Sequence, residues 1–433
     1  MPVKNYLLKK ILLFGAGKSA TVLIDYLLRQ APLNDFCLVI ADADEALILS
    51  KTNYSPLAIA VKLDITDTVK RTELISQASI VISMMPPALH FLIAQDCVNH
   101  GKNLLTASYL DNAIKSLEPE INSKQLLFIG EMGLDPGIDH MSAMQLIDTI
   151  TSEGGTITSF ISHCGGLVAP ESDDNPWHYK ISWNPRNIVM AGKAGAEYQI
   201  ENKVVKMEYA SLFEQCDEVA IPGVGKLAFY PNRDSLSYMP LYNLQEVATF
   251  LRTTLRHPSF CKGWQAIVGA GLTDESISPA IHQLTFKEWS VPVLPFVTKE
   301  NHHLLKFLGL FDDTPVPEWA NSSAVVLQYL MEDKLAMQPG DKDMIVMLHQ
   351  VGYTKNGVAQ SVESSLVVKG KNHIRTAMAA TVGLPLGIAA KLILNGSIQL
   401  TGLHLPVKKE IYVPVLKELA EEEIVFKEVH SIT

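Results

Sequence analysis

From Lys9 to Leu28 the chain reads KKILLFGAGKSATVLIDYLL. A short apolar run leads into a glycine-bearing turn and then into apolar positions at helical spacing, which predicts strand, turn and helix. A second run, FCLVIAD, follows, and LAIAVKLDITD, SQASIVISMMPP, KNLLTASYL and KQLLFIGEMGLDPG continue the alternation. Such a repeat predicts an α/β fold with a parallel, doubly wound sheet. Ligands of such sheets lie outside the carboxyl ends of the strands, which gathers Asp64, Met84, Met85, Ser108, Tyr109 and Leu134 around one crevice. Taken singly, each of these residues is more often scaffold than contact.

After about residue 132 the pattern changes. TITSFISHC, DKDMIVMLHQVGY and QSVESSLVVKG are strand-like and surround a stretch, roughly 245 to 337, that reads as helical from LQEVATFLRTTL, SPAIHQLTF and SSAVVLQYLMEDKLA. The expectation is a second α/β domain with a helical insertion. KKEIYVPVLKELAEEEIVF has the amphipathic period of a helix followed by a short strand. Thr376 to Ala390, TAMAATVGLPLGIAA, is the longest uncharged run; it is too short for a bilayer span and carries a Pro and two Gly, so it predicts a buried helix.

Composition narrows the classes. The 433 residues suggest about three domains, and 47% hydrophobic with 19% charged is globular composition, excluding disorder and fibres. A net charge of −10 offers no global attraction to nucleic acid or an anionic membrane, so an anionic small molecule would need local cations. The five cysteines are widely separated and form no C-x-x-C pair, which fits a reducing cytoplasm. The N-terminus runs into its first strand pattern with no secretion signal.

The first turn, Gly15-Ala16-Gly17-Lys18-Ser19-Ala20, fits G-x-G-x-x-G/A, and Asp42 ends the next apolar run about twenty residues on. Glycines there let the backbone approach a pyrophosphate on a helix N-terminus, and Asp42 can accept from an adenosine 2′-OH while repelling a 2′-phosphate. The alternative is that Gly15 and Gly17 only allow close helix packing. Four further clusters stand out: GEMGLDPGIDH from Gly130, SHCGGLVAPES with its two downstream tryptophans, YPNRDS from Tyr230, and LRTTLRHP from Leu251. Arginines in such polar, non-periodic settings suit a substrate bearing several carboxylates, since guanidinium pairs with carboxylate bidentately. A surface salt bridge is the plainer explanation for each one alone. His163 precedes Cys164, but neighbours on a strand point to opposite faces, which argues against a Cys–His pair. His302-His303 has no companions at metal spacing and reads as a loop pair, so no metal is expected.

Together GLDPGIDH, SHCGGLVAPES with DNP and YKISW, YPNRDS, LRTTLRHP, DKDMIVM and VGLPLGIAAKLILNG resemble the glutamate-forming saccharopine dehydrogenases, also called saccharopine reductases, from about Ile11 to the mid-420s. The resemblance implies a Rossmann-type dinucleotide domain over 1–131 completed by about 392–433, an α/β substrate domain with a mixed sheet over 132–244 and 338–391, and a small helical domain over 245–337. It further implies reversible oxidation of saccharopine with water to L-glutamate and L-2-aminoadipate 6-semialdehyde, a step of lysine metabolism. By motif it places Ser108, Tyr109, Asp135 and Cys164 in the active site, with Tyr109, Asp135 and Cys164 in catalytic roles. Ser108, Tyr109, Arg233, Thr254, Leu255 and Arg256 are expected to bind substrate. Gly15, Gly17, Lys18, Ser19, Asp42, Asp64, Met84, Met85, Leu134, Trp183 and Asn184 are expected to bind the cofactor.

NADP-using members resemble one another in an Arg where this chain has Asp42, so NAD is favoured and NADP remains admissible. His163 stands where the family commonly has Tyr. A homodimer is compatible with the sequence, and no nucleic-acid or membrane partner is expected. The competing expectations are a related enzyme acting on another secondary amine, such as a carboxyalkyl-polyamine, and a non-catalytic dinucleotide-binding scaffold. Arg233 and Arg256 disfavour a polycation, and retention of Tyr109, Asp135 and Cys164 disfavours a scaffold.

Overall fold

The structure is a computed structural model describing residues 8–432. It divides into two compact units: the chain through Thr149 with Ile374–Val425, and Ile150–His373 with the segment from Phe426 on.

The first unit is built on the strands β1 (Lys9–Phe14), β2 (Phe36–Asp42), β3 (Ala58–Lys62), β4 (Ile80–Ser83), β5 (Leu104–Thr106) and β6 (Leu127–Ile129). A short strand, Gly402–His404, adds to β6, and the spatial order runs from it through β6, β5, β4, β1 and β2 to β3. Every pairing is parallel. This is the expected doubly wound sheet. Ile11–Phe14 of β1 and the whole of β4 are buried because helices cover both faces of a parallel sheet, and the order reverses between the two strands. At that switch point the N–H of Met84 donates to Phe14 O (2.8 Å).

Helix Ala377–Leu394 belongs to this unit, whereas the sequence placed most of it in the substrate domain. It packs on helix Thr21–Gln30 through two glycines: a Cβ on Gly383 would lie 2.9 Å from Leu23 Cβ, and one on Gly387 would lie 2.7 Å from the Tyr26 ring. The helix continues to Leu394 and so reaches 18 residues, long and apolar enough by composition to cross a bilayer, yet 72% of it is buried inside the fold. It is a core helix, as its apolar run predicts.

The second unit carries β7 (Gly155–Val168), β8 (Ala196–Ile200), β9 (Lys203–Met207), β10 (Asp217–Ile221), β11 (Gly225–Pro231), β12 (Arg233–Asp234), β13 (Thr249–Arg256), β14 (Asp343–Lys355) and β15 (Val358–Lys369). The main order is β10, β11, β13, β7, β14, β15 and then strand Lys427–Ile432, with β8, β9 and β12 off this path. β13 and β7 run parallel while β11–β13, β7–β14 and β14–β15 are antiparallel, so the sheet is mixed.

Two expectations change here. LQEVATFLRTTL is not helical: its second half is β13, in the middle of the sheet. Phe250, Arg252, Thr254 and Arg256 alternate with Leu251, Thr253 and Leu255 at period two. Because nearly all of them are buried, no apolar–polar contrast marks the two faces. The last strand, Lys427–Ile432, pairs with β15 rather than completing the dinucleotide unit.

The helical layer begins instead with Pro258–Gly269 and continues through His302–Phe307 and Ser323–Lys334; SPAIHQLTF supplies a 3-10 turn at Ile281–Gln283 and the cap and first residue of the short helix Phe286–Trp289. His302 and His303 therefore open a helix and do not form a loop. This layer packs with Trp177, Tyr179, Ala228 and Tyr230 into one core. The opposite face of the sheet holds a separate apolar cluster around Leu167, Leu227, Leu255, Val346 and Leu348.

Candidate active site

In the first unit β1 ends in Gly15, whose φ of +94° is left-handed and whose added Cβ would lie 3.0 Å from Met84 O. This glycine is required by the strand crossing itself. Gly17 differs: it is exposed, its φ is ordinary, and nothing lies within 4 Å of a Cβ built on it. The open space admits a ligand's backbone-hugging phosphates. Lys18 is exposed and Ser19 half-buried in the 3-10 turn that opens helix Thr21–Gln30, and no side chain among the described residues caps that helix. The Asp42 carboxylate accepts from the N–H of Ala16 (2.7 Å) and of Asp44 (3.0 Å), so it braces the turn while two of its roughly four acceptor positions remain. The donor set thus fits a nicotinamide dinucleotide at this end of the sheet. Asp64, by contrast, is exposed and accepts from the N–H and hydroxyl of Thr66. Those bonds hold its carboxyl below the usual range, and they mark it as a turn residue.

Lys51 escaped sequence reasoning. Its ammonium donates to Gly17 O (2.5 Å) and Thr21 Oγ1 (2.9 Å), beneath the glycine turn, and burial pulls it down to about 8 against the pull of Asp42. Nothing in the spacing around residue 51 marks it, since the contact depends on helix Glu45–Thr52 folding back on the turn.

Further along the strand ends, Met84 and Met85 are half-buried and Leu134 is buried. The loop after β6 is knitted to the loop after β5: the N–H of Met132 donates to Thr106 O (2.9 Å) and that of Glu131 to Ser108 O (3.0 Å). This brings Ser108, Tyr109 and the half-buried Asp135 onto neighbouring loops. The Asp135 loop is tightly folded, with a cis Asp135–Pro136 peptide and Gly137 at φ +146°. Asp139 Oδ1 accepts from the N–H of Gly137 (2.6 Å), which serves the helix entry that its position suggested. Beneath lies a buried pair that the sequence did not single out, His140 Nε2 and Glu131 Oε2 at 3.0 Å.

In the second unit the register of β7, β13, β11 and β14 decides which side chains share a face. Cys164 lies opposite Thr254 and Met347, and Thr254 lies opposite Tyr230. Cys164, Thr254, Tyr230 and, two residues on, Arg256 therefore stand on one side of the sheet. Arg256 is 4% exposed, and its guanidinium sits 5.4 Å from the Tyr179 and Phe260 ring centroids. Nη1 donates to Leu255 O (2.8 Å), Nε is buried with no hydrogen-bond partner, and among the described residues no carboxylate pairs with this charge. Burial pushes Tyr230 up to about 12, which keeps its hydroxyl neutral beside the guanidinium. A buried guanidinium without a counter-ion is costly unless an anion completes it.

The remaining candidates are placed differently. Leu255 turns to the apolar face, so only its main chain meets Arg256. Arg233 is exposed at φ +54° on β12, next to Asn232, whose N–H donates to Arg252 O (2.8 Å). Since Arg252 lies four residues before Arg256, about 13 Å of strand separates the neighbourhoods of the two arginines. Trp183 donates through Nε1 to the Tyr179 hydroxyl (3.1 Å), and Asn184 caps helix Pro185–Val189. Trp177 is fully buried, with Nε1 donating to Leu304 O (2.8 Å), so it anchors the segment after β7 to the helical layer.

His163 faces away from Cys164. Its ring bonds Thr253 Oγ1 (2.7 Å) and Gln350 (3.2 Å) and meets the Phe229 ring, and burial pulls it down to about 4. Among the described residues no group of three His, Cys, Asp or Glu side chains is arranged to hold a metal ion.

Comparison with known proteins covers nearly the whole chain. Residues 11–129 match the family model described as the saccharopine dehydrogenase NADP binding domain, and residues 133–425 match the saccharopine dehydrogenase C-terminal domain. The chain is 36% identical over 447 residues to the mitochondrial alpha-aminoadipic semialdehyde synthase of Bos taurus, covering 96% of this chain and 47% of that protein. It therefore spans about half the length of such relatives. It is 32% identical over 441 residues to the NADP(+), L-glutamate-forming saccharopine dehydrogenase of Saccharomyces cerevisiae, covering 96% of this chain and 97% of the yeast protein. The solved apo structure of a Saccharomyces cerevisiae L-Glu-forming saccharopine dehydrogenase superposes with a TM-score of 0.87 at 30% identity, over 98% of this chain and 100% of that one.

Proposed function

The chain belongs to the saccharopine dehydrogenase family, and from that membership we propose that it is an oxidoreductase acting on a CH–NH donor: it oxidises L-saccharopine reversibly, with water, to L-glutamate and L-2-aminoadipate 6-semialdehyde in lysine metabolism. The observation that carries the reading is Arg256, a buried cation with no counter-ion among the described residues, on the same sheet face as Cys164 and Thr254. A substrate carboxylate supplies the missing charge and the missing acceptor for Nε. Arg233, exposed and well along the sheet, would take a carboxylate at another point of a long, polyanionic substrate.

A bound nicotinamide dinucleotide would accept and return the hydride. Gly17, Ser19 and the uncapped helix start would hold its phosphates, and Asp42 its adenosine ribose. The family model and the yeast relative are named for NADP; our reading for this chain is NAD, because a carboxylate at residue 42 opposes a 2′-phosphate. The substrate amine must be neutral before it loses hydride, and Asp135, or a water it holds, takes that proton. Cys164 is a polar positioning group, since no thiol adduct is needed. Five free cysteines support a reducing compartment, for which we propose the cytoplasm.

The test is initial-rate absorbance of the reduced nicotinamide with L-saccharopine and either dinucleotide at equal concentration. Turnover is expected, faster with NAD. Absence of turnover with both, alongside turnover of a different secondary amine, would discard the substrate.

A further inference from the structure

Ser83 ends β4, His90 opens helix His90–Asn99 seven residues later, and Ser108 follows β5, so the three meet at the carboxyl ends of adjacent parallel strands. Ser83 Oγ lies 2.8 Å from His90 Nδ1, and His90 Nε2 lies 2.7 Å from Ser108 Oγ, with Thr106 Oγ1 more distant at 3.4 Å. Ser83 is 0% and His90 2% exposed, while Ser108 is half-buried.

The tautomer follows from satisfying these groups. A fully buried hydroxyl must place its proton; among the described residues the acceptor within reach of Ser83 is His90 Nδ1 at 2.8 Å, whereas the Thr106 hydroxyl, 3.4 Å from Nε2, is too long a contact to make the opposite demand on the ring. Nδ1 is then unprotonated, and a neutral imidazole carries its proton on Nε2. Burial holds His90 down to about 4, against the weak opposing charge of Asp111, so the ring is neutral at working pH. Nε2–H therefore donates to Ser108 Oγ. Among the described residues nothing accepts the Ser108 proton in turn.

We propose that Ser83 and His90 form a relay that fixes Ser108 as an outward hydrogen-bond donor to a carboxylate oxygen of the substrate, with His90 a positioning residue acting through Ser108. This rests on the saccharopine reading for the identity of the ligand, though not for the geometry of the relay.

The test combines a spectrum with a kinetic cycle. Nitrogen-15 spectra of imidazole-labelled full-length protein, with His90→Gln used for assignment, should show His90 as the Nε2–H tautomer; the Nδ1–H tautomer would overturn the inference whatever the enzyme turns over. Ser108→Ala should reduce kcat/KM for saccharopine by about 10- to 100-fold, the worth of a hydrogen bond to a charged group, chiefly through KM and with the KM for dinucleotide unmoved. His90→Leu should match it, the double variant should be no worse than either single one, and His90→Gln, which can still donate toward Ser108, should recover most of the loss. Multiplying losses in the double variant, or His90→Gln as damaged as His90→Leu with a wild-type melting curve, would show that His90 does not act through Ser108. A wild-type protein that does not turn over saccharopine removes the substrate reading and leaves the tautomer as the deciding result.

Discussion

Asp42→Asn tests whether the charge at residue 42 selects the dinucleotide. The amide keeps one oxygen to accept from the N–H of Ala16, now held by the carboxylate at 2.7 Å, so the turn should survive. A unit charge on a 2′-phosphate about 4 Å from the Asp42 carboxylate would be repelled by about 4 kcal/mol at an effective dielectric constant of about 20. Lys51 offsets part of this, since its ammonium lies close enough to feel Asp42 while donating to Gly17 O and Thr21 Oγ1. A net penalty of about 2–3 kcal/mol corresponds to a preference for NAD of about 30- to 150-fold in kcat/KM. Asp42→Asn should erase most of that ratio, and Asp42→Arg should reverse it. Kinetics with both dinucleotides gives the ratio, and fluorescence titration of the reduced forms gives it again without catalysis. A wild-type preference for NADP, or a ratio that Asp42→Asn leaves unchanged, would refute the argument while leaving the reaction untouched.

Asp135→Asn should lower kcat by about 100-fold or more and remove the acidic limb of the pH–rate profile, as loss of a general base does; unchanged turnover and profile would exclude that role. Arg256→Lys keeps the charge but not the planar fork, so the KM values for saccharopine and glutamate should rise by about tenfold or more with the KM for dinucleotide unchanged, measured by initial rates in both directions. Gly137→Ala puts a Cβ 2.1 Å from Gly133 O at φ +146°, so calorimetric or denaturant unfolding should show a loss of about 3 kcal/mol or more, or no folded protein. His163 and His90 each titrate near 4 when folded against an ordinary 6.5, both through burial. The unfolded chain binds the extra protons, so the stability they contribute is complete above about pH 6.5 and is lost as pH falls toward 4, by about 3 kcal/mol each at most. Urea unfolding across that window should show the slope, and His163→Gln should flatten part of it.

The dinucleotide end was legible because its signal is local: an apolar strand, two glycines and an acid one β-strand later lie within about thirty residues of chain. The resemblance carried the second unit further than periodicity could. β13 shows why periodicity failed there. Its helix-like apolar spacing and its strand alternation coexist in TFLRTTLR, and burial of both faces removes the contrast that would have chosen between them. The motif does not tell side chain from main chain: the pleat sends the Leu255 side chain into the apolar cluster while its neighbours Thr254 and Arg256 face Cys164's side. The two tryptophans after β7 likewise separate, Trp177 into the core and Trp183 onto the Tyr179 hydroxyl, so the segment is partly an anchor.

Lys51 and His90 were out of reach for a different reason. Lys51 is unremarkable until helix Glu45–Thr52 folds back on the glycine turn, and His90 until a parallel sheet sets strand ends side by side: Ser83 and Thr106 are register partners on β4 and β5, and that pairing places His90 between Ser83 and Ser108. A motif read along the chain finds groups that touch a ligand, because their chemistry is specific. It does not find groups that hold those in place, because any buried donor or acceptor of the right length could do so. The Asp42 and His90 experiments divide along this line. Asp42 is judged by which dinucleotide is chosen, a property of the contact itself, and His90 by whether its loss disappears once Ser108 is gone, a property of the support alone.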